Sequence, residues 1–240
     1  MAEMKLNKHV HILLGVIVIM LSVLSNNARA KGPDFSKLTE HVFDLSKIAL
    51  RLQLPGKLDR EFPVEAGKYQ VNIYDPEMQD KGKLLERHWD YRGYLWQGQY
   101  ALMSLIISLE KLPSDADIDI QNNITDLQGV IENDIYGVYR KRNQELVNDP
   151  NIAQANHEVK LVFDENTLSN TNALQCIQTD NHSKGTTRTT YYISISDEHF
   201  LAFQFKIVPL ESGREHPEKW VKQANRDMSK VVNSIVISYP

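Results

Sequence analysis

Two runs near the C-terminal end, Thr189 to Ser196 (TTYYISIS) and Phe200 to Val208 (FLAFQFKIV), are separated only by Asp197-Glu198-His199. Both are rich in β-branched and aromatic residues, which fit a pleated, half-buried surface. A connection that short returns the chain antiparallel, so the stretch predicts a β-hairpin at the centre of a sheet. Upstream, Ala173 to Thr179 adds a further strand. Downstream, Pro217 at a helix first-turn position opens a last helix, in which Trp220, Val221, Ala224, Met228, Val231, Val232 and Ile235 form a broad apolar stripe. Ile235-Val236-Ile237 closes the chain.

The N-terminal half reads the same way. Ile48, Leu50, Leu52 and Leu54 alternate with Ala49, Arg51 and Gln53, a period of two that marks a half-buried strand ending at Pro55-Gly56. Tyr69, Val71 and Ile73 repeat it before Asp75-Pro76, and Leu85, Arg87, Trp89 and Tyr91 lie on one face of another strand. Tyr100 to Leu109 is an apolar run that fits a strand or a helix; Gly93 and Gly98 bracket a hairpin-like connection before it and favour the strand.

From Ser114 the period changes. Ile120, Ile124, Leu127, Ile131, Ile135 and Val138 make one stripe of an amphipathic helix, with Ser114 as N-cap and Asp115, Asp117 and Asp119 at the positive end of its dipole. Those alternate carboxylates also open like a calcium loop, but Ile120 stands where that loop needs glycine, and Asp126 where it needs the longer glutamate. The capping reading is therefore preferred. Asn148-Asp149-Pro150 stops the helix, and residues 148–172 read as a polar insertion.

Strands, a helix, strands and a terminal helix predict an α/β (α+β) fold: a sandwich with a mostly antiparallel sheet covered by two main helices, spanning residues 42–240 after a polar leader at 31–41. The strand ending Leu54-Pro55-Gly56, the mid-chain helix, the Tyr191 to Val208 hairpin and the last helix running into Ser234-Ile235-Val236-Ile237 together resemble the PsbP-like and DcrB-like exported αβα-sandwich proteins. The resemblance is one of element order. It implies an accessory or partner-binding protein rather than an enzyme, and similar folds occur among periplasmic immunity proteins of type VI secretion.

Composition and the N-terminus place the chain. At 240 residues, 42% hydrophobic and 24% charged, it has the make-up of a globular protein and not of a disordered one. Lys5 and Lys8 form a basic n-region, Ile12 to Leu24 an apolar h-region, and Ala28-Arg29-Ala30 a small-x-small site, so residues 1–30 read as a signal peptide cleaved after Ala30. The apolar run is short of the ~20 residues that span hydrocarbon. The expectation is a soluble, periplasmic protein with no stable membrane insertion. The formal charge is −4, and removing Lys5, Lys8, Arg29 and Glu3 makes the remainder more acidic, which argues against nucleic acid as a partner. One cysteine, Cys176, forms no internal disulfide, and a disulfide-free exported chain fits a bacterial periplasm.

Catalytic signatures are absent: no G-x-S-x-G, no G-x-x-x-x-G-K, no G-x-G-x-x-G and no H-E-x-x-H. His41, His88, His157, His182, His199 and His216 are too scattered to pair on one helix face for zinc. Cys176 sits in a strand pattern, where a buried hydrophobe is its usual role. No catalytic residue, metal or cofactor is assigned. Residues 89–100 hold Trp89, Tyr91, Tyr94, Trp96 and Tyr100, of which Trp89 and Tyr91 read as core. Tyr94 and Trp96, with Arg92, are the first candidates for a partner surface, because tyrosine, tryptophan and arginine dominate binding hot spots. The Asn181 to Thr187 turn, with His182 and Lys184, is the second.

Three functions follow as expectations. The first is a periplasmic, non-enzymatic protein that binds another protein, most specifically an immunity protein that occludes the active site of an antibacterial toxin. The second is an envelope accessory protein that assists assembly or binds a small apolar ligand, for which a pocket between sheet and helices is the structural requirement. An enzyme with a non-contiguous active site is the third.

Overall fold

A computed structural model of the chain describes residues 30–46, 48–55, 68–70, 72–73, 81–93, 98–112, 119–121, 123–147, 157–168, 171–181 and 185–239. The strands among them are β1 (Leu38–Asp44), β2 (Ala49–Pro55), β3 (Lys68–Gln70), β4 (Lys81–Arg92), β5 (Gln99–Lys111), β6 (Val159–Leu168), β7 (Thr171–Asp180), β8 (Thr187–Ser194), β9 (His199–Pro209) and β10 (Val236–Ser238). The helices are α1 (Ile124–Val147), α2 (Glu211–Glu215) and α3 (Val221–Asn233), with a 3-10 turn at Pro217–Lys219. They build two sheets, a larger one in the order β4-β5-β9-β8-β7-β6 and a smaller one in the order β10-β2-β1-β3. Every described pair is antiparallel except β1 with β3. No described helix is long and apolar enough to cross a membrane.

Register and pleat divide the larger sheet into two faces. Leu85, Arg87, Trp89 and Tyr91 of β4 stand opposite Ile107, Leu105, Met103 and Ala101 of β5, which stand opposite Phe203, Phe205, Ile207 and Pro209 of β9. Alternation puts all of these on one face. That face shares one apolar cluster with Phe43 of β1, Leu50, Leu52 and Leu54 of β2, and Ala224, Val231 and Val232 of α3. The other face carries Leu174, Cys176, Tyr192, Phe200 and Ala202, which form a second cluster with Ile120, Leu127 and Ile131. On β5, Ala101, Met103, Leu105, Ile107 and Leu109 are buried on the first face, while Leu102, Ser104 and Ile106 on the other are half-buried; Leu102 and Ile106 keep the run apolar on both faces, and the strand reading of Tyr100 to Leu109 holds. Full burial of each large side chain contributes about 1.5–3 kcal/mol.

Four expectations change. Helix α1 begins at Ile124, not after Ser114; the oxygen Oδ1 of Asn123 accepts from the Thr125 N–H at 3.0 Å and starts the helix. Ile120 is buried in the second cluster from a turn, which is why it continued the helical spacing. The inward stripe runs Leu127, Ile131, Tyr139, while Val138 is 59% exposed, because steps of four follow the core as the helix drifts around its axis. Within the polar 148–172 segment lies the edge strand β6, where Leu161 and Phe163 pack on the second cluster and Lys160, Val162 and Asp164 face away. Lastly, β1 starts at Leu38 inside the polar 31–41 stretch, where Lys31 also pairs with Arg92.

Candidate ligand cleft

The first face of the larger sheet is not covered completely. The smaller sheet and α3 share it, and beside α3 a cleft of about 670 Å³ opens over β7, β8 and β9. Its sheet wall is Ile177, Thr189 and Ile207, and its helix wall is Trp220, Val221, Asn225 and Met228. Positions 221, 225 and 228 follow helical spacing on one flank of α3, whereas Ala224, Asp227 and Val231 follow the adjacent, fully buried flank. One helix thus closes the core with one side and walls the cleft with the next.

What holds α3 at that angle is a buried carboxylate. Asp227 is fully buried and accepts hydrogen bonds from Nε2 of Gln223 at 2.8 and 3.0 Å and from the Tyr91 hydroxyl of β4 at 3.4 Å. Nζ of Lys230 lies 3.4 Å from the same carboxylate and 4.2 Å from the Phe35 ring centroid. A buried charge persists only when paired and hydrogen-bonded, and these partners supply both. Burial, reinforced by the Asp227 charge, holds the Tyr91 phenol far above its ordinary range, so it stays a donor.

The chain between β9 and α3 folds tightly against β5 to form one end of the cleft. The Leu210 N–H donates to the Tyr100 carbonyl at 2.8 Å, and the Trp220 indole N–H donates to the Gly213 carbonyl at 2.8 Å. Gly213 lies so close that a Cβ there would stand 1.9 Å from the Tyr100 oxygen. On the sheet side, Gly185 has φ +73°, and a Cβ would meet Cγ of Pro209 at 3.0 Å. Glycine is the residue for both the left-handed backbone and the close approach.

The lining is mainly apolar with a few hydrogen-bonding groups: Gln175, Thr187, Thr189 and Asn225. Arg214 is the one cation, and there is no carboxylate, histidine or cysteine among the described lining residues. Two of the exposed large hydrophobics gather here, Val221 on the helix wall and Val162 across from Ile177 on β6. The chemistry on offer is apolar contact, a handful of hydrogen bonds and one positive charge.

The sequence candidates are distributed differently. Tyr94, Trp96, His182 and Lys184 lie outside the described residues. Gly185 and Thr187, from the same turn as His182 and Lys184, line the cleft. Arg92 does not; its guanidinium pairs with Asp90, which also accepts from Nε2 of Gln99 at 2.6 Å, and its backbone bridges to Lys31. Trp89 and Tyr91 are core, as expected. Cys176 is buried on the opposite face, and burial, with a smaller push from Glu132, raises its thiol to about 12. No group of three metal-ligating side chains exists among the described residues. His41 is fully buried between the sheets with both ring nitrogens unpartnered among the described residues, and burial, assisted by the nearby Arg87 charge, lowers it to about 4. The sequence marks none of the cleft residues Ile177, Thr189, Ile207, Asn225 and Met228 as a site residue; Met228 enters there only as part of the apolar stripe of the last helix.

No protein-family model matches the chain, and neither does any curated protein. Among solved structures it is similar to LpqN, described as involved in cell envelope biogenesis of Mycobacterium tuberculosis, with 13% identity over 89% of this chain and 92% of that one and a TM-score of 0.31. A likeness at that level carries no functional argument. The resemblance to PsbP-like and DcrB-like proteins accordingly rests on element order alone.

Proposed function

We propose that the protein is an exported, non-enzymatic accessory of the bacterial envelope that binds a small, largely apolar ligand in the cleft between β7–β9 and α3. The observation that carries this reading is the apolar cleft, where exposed Val221 and half-buried Ile177 and Met228 stand beside the packed side chains of Ile207 and Trp220. A volume of about 670 Å³ falls in the ordinary range for small-molecule sites, and a mainly apolar lining with few polar groups is their usual composition. Export rests on the Lys5/Lys8, Ile12–Leu24 and Ala28-Arg29-Ala30 pattern.

Occlusion of a toxin active site was the sharper form of the protein-binding expectation. Of its contact residues only Arg92 is described, and it is engaged by Asp90. The cleft therefore leads. Native mass spectrometry of protein released from periplasm tests it: a persistent adduct of a few hundred daltons, lost when Asn225→Trp fills the cleft, is the expected result. Protein that carries no adduct, and that binds no apolar fluorescent probe in vitro, overturns it.

A further inference from the structure

The cleft's charge is lopsided. Arg214 is its one cation among the described lining residues, with no carboxylate among them to answer it. Nε of Arg214 donates to the Pro209 carbonyl at 3.4 Å, which ties the guanidinium to the end of β9 and leaves its terminal Nη groups without an ion pair among the described residues. Oε1 of Glu218 lies 3.5 Å from Nδ1 of His216, and none of Glu211, Glu215 and Glu218 forms an ion pair with Arg214 among the described residues. From Arg214 the lining becomes apolar through Pro217, Trp220 and Val221 to Met228. A planar cation at one end of an apolar trough is complementary to one ligand shape: a single anionic group on an apolar body, with the anion taken in a forked hydrogen-bonded pair.

We infer that the ligand is an anionic amphiphile whose head group is held by Arg214 and whose apolar body lies along Trp220 and Met228. This rests on the ligand-binding reading above and adds the sign of the charge. Arg214 is solvent-exposed, so the charge contributes modestly and is screened by salt. It sets preference and orientation, while the apolar wall carries the affinity.

Two fluorescent probes of similar aromatic body separate these contributions: 1-anilinonaphthalene-8-sulfonate, which is anionic, and N-phenyl-1-naphthylamine, which is neutral. At low ionic strength the parent should bind both. Arg214→Gln should weaken the sulfonate by about three- to fivefold, the scale of one exposed ion pair, and leave the neutral probe unchanged. Arg214→Lys should recover part of the loss, and 0.5 M salt should shrink the difference. Asn225→Trp should abolish both, placing both probes in the cleft. Decanoate and decyl phosphate are then compared as competitors: displacement by the first points to a carboxylate head group, by the second to a phosphate head group, and displacement by neither overturns the inference. If both probes bind the parent and Arg214→Gln leaves the sulfonate affinity intact, the charge assignment fails and the apolar site stands. If neither probe binds, or both survive Asn225→Trp, the cleft itself is not the site and both readings fall.

Discussion

On one face of the six-stranded sheet a single helix of 24 residues, α1, shares a cluster with Leu174, Cys176, Tyr192, Phe200 and Ala202. On the other, the work is divided between a four-stranded sheet of short strands and the 13-residue α3. The first arrangement encloses no fully buried charged side chain from its own helix. The second contains the buried Asp227 and His41, and it leaves a cleft beside α3. The difference is geometric: α1 lies chiefly over the β6–β7 side of one face, whereas two covers of different shape meet the other face along a seam. At such a seam polar groups must be satisfied individually, and space remains for a ligand. Function is expected where the cover is composite, and stability where a single helix supplies it.

The comparison breaks most readily at Gly213. Adding a Cβ 1.9 Å from the Tyr100 carbonyl forces the β9–α3 connection off β5 and disrupts the bonds from Leu210 and Trp220. Gly213→Ala should cost about 3–5 kcal/mol in urea unfolding and abolish probe binding. A variant of parental stability would show that the connection is soft and the seam is not built around it. Asp227→Ala comes next. It strands the Gln223 amide, the Tyr91 hydroxyl and Lys230 around an empty acceptor position, with an expected loss of about 2–4 kcal/mol. Probe affinity should fall with it, since α3 loses the contact that turns its Val221/Asn225/Met228 flank toward the sheet. A loss of stability with unchanged probe affinity would uncouple the carboxylate from the cleft.

The buried histidine gives a smaller, pH-dependent effect. His41 is lowered in the folded protein to about 4, whereas its unfolded value is near 6.5. The folded state therefore binds fewer protons through this window. The stability of the neutral, buried ring is fully present above pH 6.5 and is lost as pH falls from 6.5 toward 4, by on the order of 3 kcal/mol in all. His199 is lowered too, mainly by burial, and adds in the same direction. Unfolding free energies measured at pH 7 and at pH 4.5 should differ more for the parent than for His41→Leu, with the shared carboxylate titrations cancelling between them. Equal slopes would show that the ring finds a proton-accepting partner in the interior.

Much of this architecture is legible in the sequence because period reports directly on burial. The alternation from Ile48 to Leu54 gives β2, and the short connection through Asp197-Glu198 gives the β8–β9 pair, in which Tyr191 stands opposite Phe203; His199, read as part of the connection, is the buried first residue of β9. Gly93 and Gly98 mark the β4–β5 return, where the Gly93 N–H donates to the Gly98 carbonyl at 2.8 Å. The cleft is not legible, for two reasons. Its residues are spread from Gln175 to Met228 across three strands, the helices α2 and α3 and the turns beside them, so no local spacing joins them. And Val221 and Met228 stand in the same apolar stripe as Ala224 and Val231; a side chain that walls a cleft and one that fills a core have the same hydropathy and period. The edge strand β6 shows a different failure. Its Val159, Leu161 and Phe163 do alternate, but Glu165, Asn166 and Thr167 dilute the signal, and one exposed face makes the run look like an insertion.

The smallest expected effect lies on the face under α1. Cys176 is buried in the second cluster, and its thiol is raised to about 12, first by burial and then by the Glu132 charge, so at pH 8 almost none of it is thiolate. Native protein should resist a thiol-exchange reagent at that pH and react fully once unfolded in urea. The informative comparison is between variants. Asn225→Trp fills the cleft on the opposite side of the sheet, and if the two faces are energetically separate, it should leave the slow labelling rate of Cys176 within about twofold of the parent, as expected for distant substitutions with no shared partners. Gly213→Ala should instead accelerate labelling, because global destabilisation raises the population of open molecules in proportion to the stability lost. If filling the cleft also exposes the thiol while melting behaviour is unchanged, then the sheet transmits strain from one face to the other. A ligand in the cleft would in that case alter the packing under α1.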